Sequence, residues 1–421
     1  MKIAALTGCF VLLVLSLTVH ADPVVQANDS LGIIGDSITA QHLYSADIED
    51  YLLMCQPVEK LSVCQFGWAG EDTRGCLYRL PFDILPLKPT VVTTCYGMND
   101  GHYTNPTADI ANTYRTNQTA IVELLKKAGV RVIVVGSPKP VDLYVYGTRN
   151  GADAVAYNKN LAALSAIAKE VAAKENVLYA DVNGAFTAAA AKAKAQYGPT
   201  YNMAGDGVHP GPDGHLVMAY AFLKALGCDG NIGTITVDPG AKQATGTPGQ
   251  EIVSYQDGTV TVKSTRYPYC FAGGVDRPDG NAASMIHAVP FNEELNRYLL
   301  VVKNLNTPNA KITWGGVTKV FPSGQLAQGI NLAAEFAQNN PFMAQFTAVD
   351  NAVHTQEDQE QGLVQDFMFQ VPRLKAWIAP GVDGAFDQAI AAGIAQHVKL
   401  FNNAASQVVP VTHTIKIEPS T

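Results

Sequence analysis

Short apolar runs alternate with helically spaced stripes through the first half of this chain. Residues 31–34, 61–64, 90–95, 130–135 and 177–181 are strand-like. Run 90–95 is β-branched and apolar, the pattern of a strand buried on both faces. Helical spacing covers residues 41–54 and 74–85, the latter ended by Pro86 and Pro89. A longer stripe of Ile110, Tyr114, Ile121, Leu124, Leu125 and Ala128 stops at Gly129. Tyr157, Leu161, Leu164, Ile167 and Val171 mark the next helix, an Ala/Lys-rich stretch follows residue 181, and Leu216, Tyr220, Leu223 and Leu226 share a last face. Five strand–helix repeats predict a parallel, doubly wound α/β sheet. Right-handed crossovers place the loops that follow its strands on one edge, where such sheets bind ligands. Three unusual loops, at Ser37, Gly70 and Asn99, each follow a strand, so they converge there.

From about Asn231 the pattern changes. Residues 232–237 read as a strand, and 252–262 as a hairpin around Asp257-Gly258. Residues 311–320 read as a second hairpin around Gly315-Gly316, two helices follow near 356–377 and 385–402, and 412–417 is a closing strand. The expected organisation is a leader over 1–21, an α/β domain over 22–230 and a smaller α+β domain over 231–421, joined through a Pro/Gly/Thr-rich segment at 238–250.

Composition narrows the partners. Charged residues make up 16% of the chain, the formal charge is −8, and Lys and Arg form no run. Nucleic acid and anionic membrane are therefore excluded as main partners. A charged start, an apolar run to Val19 and the sequence Val19-His20-Ala21 read as a secretory signal peptide, which predicts a secreted or periplasmic protein without a stable membrane anchor. Six cysteines remain beyond it: Cys55, Cys64, Cys76, Cys95, Cys228 and Cys270. Their even number in an exported chain points to disulfides, while the apolar settings of Cys64 and Cys95 also suit buried thiols. No Cys/His ligand spacing occurs, so no metal and no cofactor is expected.

Ser37, after a strand and a glycine, offers a hydroxyl at a sharp turn; taken alone, it is better read as a helix N-cap, and the set of residues around it is what shifts the reading. Asp206 and His209 stand three apart on one glycine-containing loop. That spacing lets the carboxylate hold one imidazole nitrogen while the other faces outward as a general base for Ser37. An ester hydrolase also needs oxyanion donors, and Ser37 N–H, Gly70 N–H and the Asn99 amide are suitable. Asp36 and Asp100 read as structural. His42, His102 and His215 read as surface or packing residues, with His102 the one placed to touch a substrate. Tyr44, Trp68, Tyr96, Tyr103, Tyr144 and Tyr146 lie near the loops, suited either to sugar stacking or to ordinary packing. In the second half, Glu357-Asp358-Gln359-Glu360 reads as a solvated helix start.

Gly35-Asp36-Ser37-Ile38-Thr39, Gly70 in its loop, Gly97-Met98-Asn99-Asp100 and Asp206-Gly207-Val208-His209 resemble, in order, the four signature blocks of the SGNH, or GDSL, hydrolases. The resemblance covers about residues 31–226. It implies a flavodoxin-like three-layer fold and ester hydrolysis through an acyl-enzyme on Ser37. It also implies His209 as base, Asp206 as its orienting acid, and Ser37, Gly70 and Asn99 as the oxyanion hole. Two positions depart from the pattern: Gln65 stands where asparagine often supports the glycine loop, and Trp68 is bulky for its place. The expected activity is removal of short acyl groups, acetyl first, from a small-molecule or polysaccharide ester. The alternatives are a lipase, lysophospholipase or thioesterase on the same machinery, and an inactive hydrolase-like binding protein.

Overall fold

The computed structural model describes residues 24–275, 277, 280–375 and 383–421; the expected signal peptide lies outside them. Five strands, β1 (Ser30–Gly35), β2 (Ser62–Gly67), β3 (Val91–Cys95), β4 (Val132–Gly136) and β5 (Leu178–Ala180), form one sheet in the order β2-β1-β3-β4-β5. Every pairing in it is parallel. This is the flavodoxin-like order, with its switch point beside β1. Alternate residues feed two separate apolar layers. Leu31, Ile33, Val91 and Val134 face one, and Ile34, Phe66, Val92 and Val135 face the other. The strands lack polar alternation because both faces are covered.

The first layer is closed by α1 (Tyr44–Asp50), α5 (Val182–Tyr197) and α6 (Pro212–Ala225), and the second by α2 (Thr73–Arg79), α3 (Ala108–Lys127) and α4 (Ala154–Lys174). Asp72, Thr107, Asp153 and Asp181 start four of these helices by accepting a backbone N–H three residues on.

Past Gly230 the chain builds two further sheets. The strands are β6 (Asn231–Asp238), β7 (Gln243–Gly246), β8 (Gln250–Gln256), β9 (Thr259–Ser264), β10 (Arg297–Val302), β11 (Asn309–Trp314), β12 (Val317–Pro322), β13 (Ile330–Asn331) and β14 (Val411–Ser420). One sheet runs β8-β9-β14-β11-β12 and the other β13-β10-β6-β7. Both expected hairpins are present, with Asp257-Gly258 and Gly315-Gly316 at positive φ as a tight right-twisted turn requires. The 238–250 segment is more ordered than a linker: β7 lies within it and pairs antiparallel with β6.

Helix α7 (Met343–Gly362) starts well before the expected residue 356 and packs on α1, on β2 and on α8 (Asp383–Ala405). Glu357 and Glu360 therefore lie in its last two turns rather than at a helix start, and both are fully buried rather than solvated. The six cysteines are free, buried thiols, not disulfides. They sit in the packed interior, with Cys64 and Cys76 in one apolar layer and Cys55, Cys95, Cys228 and Cys270 in the other.

Burial strips four carboxyls of water and lifts them from 3.8, Asp36 and Asp47 to about 7, Asp83 and Asp100 to about 6. The same desolvation lowers His215 from 6.5 to about 3 and His413 to about 4. Between the unfolded and folded values, each raised carboxyl holds a proton that the unfolded chain has lost, so the fold weakens as pH rises through that window. The histidines act oppositely, strengthening the fold as pH rises to 6.5. Four groups outweigh two, and above that pH the carboxyls act alone. Tm is therefore expected to be several degrees lower at pH 8 than at pH 5 by scanning calorimetry; a Tm that climbs over this range would show the carboxyls to be ionised in the fold.

Candidate active site

Gly35 ends β1 where a Cβ would fall 2.0 Å from Thr39 Oγ1 and 3.0 Å from the Cys95 carbonyl; at Gly67, the end of β2, a Cβ would fall 2.2 Å from Ala40 N. Only glycine lets the chain after β1 fold down across two strand ends. Buried Asp36 fastens that turn by accepting the Ile38 N–H at 2.9 Å. The turn is a short 3-10 helix, Thr39–Gln41, ended by His42 at φ 56°. Ser37 thus stands ahead of a single tight turn rather than at the N-terminus of an α-helix, and α1 begins only at Tyr44.

Ser37 Oγ lies 2.9 Å from His209 Nε2, and His209 Nδ1 lies 2.9 Å from Asp206 Oδ2. The other carboxylate oxygen of Asp206 accepts the backbone N–H of Val208 at 2.9 Å and of His209 at 2.7 Å. Partial burial pushes the Asp206 carboxyl up, but the hydrogen bonds from His209 and Val208 more than offset this and hold it at about 2. It stays ionised across the working range, as a partner for imidazolium must. Gln41 joins the two loops directly: its Nε2 donates to the Pro210 carbonyl at 3.1 Å, and its Oε1 lies 3.2 Å from His215 Nε2.

Gly70 occupies the third position of a turn closed by Glu71 N–H to the Trp68 carbonyl at 3.2 Å, with φ 76° and open space where a Cβ would be. That position and φ favour glycine. Trp68 N–H donates to the Gly35 carbonyl at 3.0 Å, so this loop is tied to the end of β1. Asn99 reaches it from the loop after β3, its Nδ2 donating to the Glu71 carbonyl at 2.8 Å while Oδ1 accepts from Tyr103 at 3.0 Å. Ser37, His209 and Asp206 are thus in direct hydrogen-bonded series. Gly70 and Asn99 meet each other through Glu71, on the loops of the two strands that flank β1. Gln65, the departure from the usual asparagine, supports the loop in its own way, its Oε1 accepting the Gly67 N–H at 2.8 Å.

Sequence reasoning missed the group under this loop. Arg79 is buried and forked: Nε to Glu71 Oε1 at 2.6 Å, Nη2 to Glu71 Oε2 at 3.0 Å, Nη1 to Asp83 Oδ2 at 2.7 Å, and Nη2 also to the Phe66 carbonyl. The Tyr96 hydroxyl completes the shell by donating to Glu71. A Glu71–Arg79 pair eight residues apart, one on a loop and one on a helix, leaves no periodic signal. Lys139 was missed too. It is buried beside the Phe186 ring, and burial lowers it to about 8 despite the pull of Asp206 and Asp36.

The remaining candidates divide. Asp100 accepts both the N–H and the hydroxyl of Thr73, a structural tie between loops. His215 is buried, stacks on Tyr44 and accepts the Tyr44 N–H. His42 pairs with Asp358 at 2.9 Å. His102 is exposed, and a cavity of about 230 Å³ opens beside it. Tyr44 and Tyr96 are fully buried and unavailable to a sugar, because each is consumed in packing and hydrogen bonding. Trp68 instead borders a cavity of about 310 Å³ together with Gly70, Tyr78 and Phe369, the last supplied by the C-terminal half. Phe369 packs edge-on against Trp68, ring centroids 5.0 Å apart.

A flavodoxin-like parallel sheet with serine, histidine and aspartate in hydrogen-bonded series at its C-terminal edge defines a class, the hydrolases of carboxylic esters. Residues 33–217 match the GDSL-like lipase/acylhydrolase family, and over that region the chain belongs to the SGNH hydrolases. An acetylxylan esterase from Geobacillus stearothermophilus is 26% identical over 189 residues, 44% of this chain and 80% of that protein. The solved structure of a gut microbial diltiazem-metabolizing enzyme aligns with a TM-score of 0.71 at 22% identity, over 94% of this chain and 98% of that one, a likeness of fold that extends through both halves.

Removing one partner of a buried ion pair strands the other, at a cost of about 3–5 kcal/mol. Arg79→Leu is therefore expected to lower unfolding free energy by about that amount in urea titration. At temperatures where the variant stays folded it is also expected to lower kcat, because Glu71 and its neighbour Gly70 lose their anchor.

Proposed function

We propose that this protein is an exported serine esterase that removes short acyl groups, acetyl foremost, from carbohydrate or similarly polar alcohols. The observation that carries the reading is the unbroken series Ser37 Oγ–His209 Nε2 and His209 Nδ1–Asp206 Oδ2, each step 2.9 Å. His209 takes the Ser37 proton as Oγ attacks the ester carbonyl, and Asp206 holds the ring and balances the imidazolium. The oxyanion is received by Ser37 N–H, Gly70 N–H and the Asn99 amide. His209 then protonates the departing alcohol, and water attacks the acyl-enzyme by the same route in reverse.

Three features support a short acyl group and a polar alcohol. The His209 and Asp206 side chains are 38% and 46% exposed, so the site opens to water instead of lying in an apolar tunnel. The cavity beside Gly70 is small for a ligand pocket and mixes Trp68, Tyr78 and Phe369 with Asp72 and Arg74, suited to a sugar ring or a short acyl chain. The acetylxylan esterase is a relative of the same half of the chain. Export rests on the leader-like residues 1–21. Among the described residues no helix is long and apolar enough to cross a membrane.

Nitrophenyl esters of increasing length, measured alongside acetylated xylo-oligosaccharides, test the substrate. Turnover is expected to fall from acetyl to butyryl and beyond, and a preference for long chains moves the assignment to a lipase-type enzyme. A fluorophosphonate probe is expected to label the wild-type chain and not Ser37→Ala; a folded wild-type chain that takes no label would mark a binding protein. Asn99→Ala is expected to lower kcat by about 10²–10³-fold with KM little changed, since an oxyanion donor acts chiefly in the transition state.

A further inference from the structure

Three ligating side chains meet at the seam between the hydrolase sheet and the C-terminal helices. Cys64 comes from β2, Glu360 from α7 and His397 from α8. The cysteine sulfur, a carboxylate oxygen and a ring nitrogen all lie within 4.8 Å of one another, and all three side chains are buried. His397 Nδ1 is 2.7 Å from Glu360 Oε1, while Glu360 Oε2 has no hydrogen bond of normal geometry. The Cys64 thiol lies 3.8 Å from the Gln65 carbonyl and is also within hydrogen-bonding reach of the Glu360 carboxyl.

Buried acids crowd this set with few basic partners. Glu49 and Glu357 are buried nearby and repel each other and Glu360, and each has an unpartnered Oε1. Among the described residues, His397 is the one basic side chain paired with any of the three glutamates. Elsewhere this fold compensates buried carboxylates directly, as Arg79 does between Glu71 and Asp83. Among the described residues no arginine or lysine takes that part at the seam, although stranded buried acids are costly.

We propose that Cys64, Glu360 and His397 bind a divalent transition-metal ion of the zinc type. Thiolate, imidazole and carboxylate together suit such an ion and suit calcium or magnesium poorly. Among the described residues no fourth ligating side chain joins the set, so a small ligand such as water completes it. Binding breaks the Cys64 S–H bond and displaces the proton shared by His397 and Glu360; both protons leave to solvent, sulfur and nitrogen bond to the metal, and no oxidation state changes. The ion would fasten β2 to α7 and α8, behind the strand that ends at Gly67. The ligands stand at positions 64, 360 and 397, so no local motif announces them. The ion takes no direct part in the Ser37 chemistry.

The full chain, expressed in zinc-supplemented medium, passed over chelator to remove surface ions and weighed by elemental mass spectrometry, is expected to hold about one zinc per chain. Cys64→Ser and His397→Gln are expected to bring this below about a tenth of an equivalent. Growth with cobalt(II) supplies a readout that needs no variant, a thiolate-to-cobalt charge-transfer band in the wild-type absorption spectrum. A wild-type chain without stoichiometric metal, a cobalt form without that band, or a Cys64→Ser chain with undiminished metal overturns the proposal.

Discussion

A single hydrogen bond, Ser37 Oγ to His209 Nε2, joins residues 172 apart in the chain, and the geometry of everything around it serves that distance. A serine hydroxyl is a poor nucleophile without a base in reach, and displacements of about 1 Å cost such sites roughly 10²-fold. Neither partner can be placed by its own loop. Ser37 is held by β1, which lies between β2 and β3, and by glycines that let its turn rest on the strand ends. His209 is held by the Asp206 carboxylate on one side and by Gln41 on the other, which bonds both the carbonyl of Pro210 and the buried His215. Gln41 matters because it belongs to the turn that carries Ser37. The two halves of the pair are thereby referenced to each other and not only to the sheet.

The parallel sheet, its layers and the residues at its edge were legible in the sequence for a common reason. Strands buried on both faces cannot hide their composition, and the residues at their ends cannot vary freely, because turns at strand ends admit few residue types. Gly35, Gly70 and the Asp206–His209 spacing are of that kind. What escaped notice depended on long-range packing. Arg79 reads as an ordinary helix arginine until β2 and the Glu71 loop close over it. Glu357 and Glu360 read as solvated because nothing local reveals that α7 starts at Met343 and lays that face against α1 and β2. Ser37 read as a helix start, whereas His42 at positive φ interrupts the helix before it forms. The six thiols invited pairing by their number, but their positions were set by separate apolar layers.

The same packing explains why the C-terminal half cannot be treated as an appendage of the ester site. Glu71, which leads the chain away from Gly70, is gripped from below by Arg79 and Tyr96, all within the hydrolase sheet's own layer. From outside, Gln365 donates to the Gly67 carbonyl at 2.9 Å, and Phe369 closes on Trp68. The short loop that carries Gly70 is therefore confined between two sets of contacts, one from each half. A backbone N–H can stabilise an oxyanion only if it is already aimed when charge develops, because reorienting it during the reaction would consume the gain. On the proposed mechanism the rigidity of that loop matters to function, and part of it comes from residues more than a hundred positions beyond His209. The fold likeness to the diltiazem-metabolizing enzyme, which spans both halves of each chain, agrees with halves that keep their mutual arrangement. Loosening the seam at α7 would free Gln365 and Phe369 together, and the first consequence would be felt at Gly70 and not at His209, whose supports all lie in the N-terminal half.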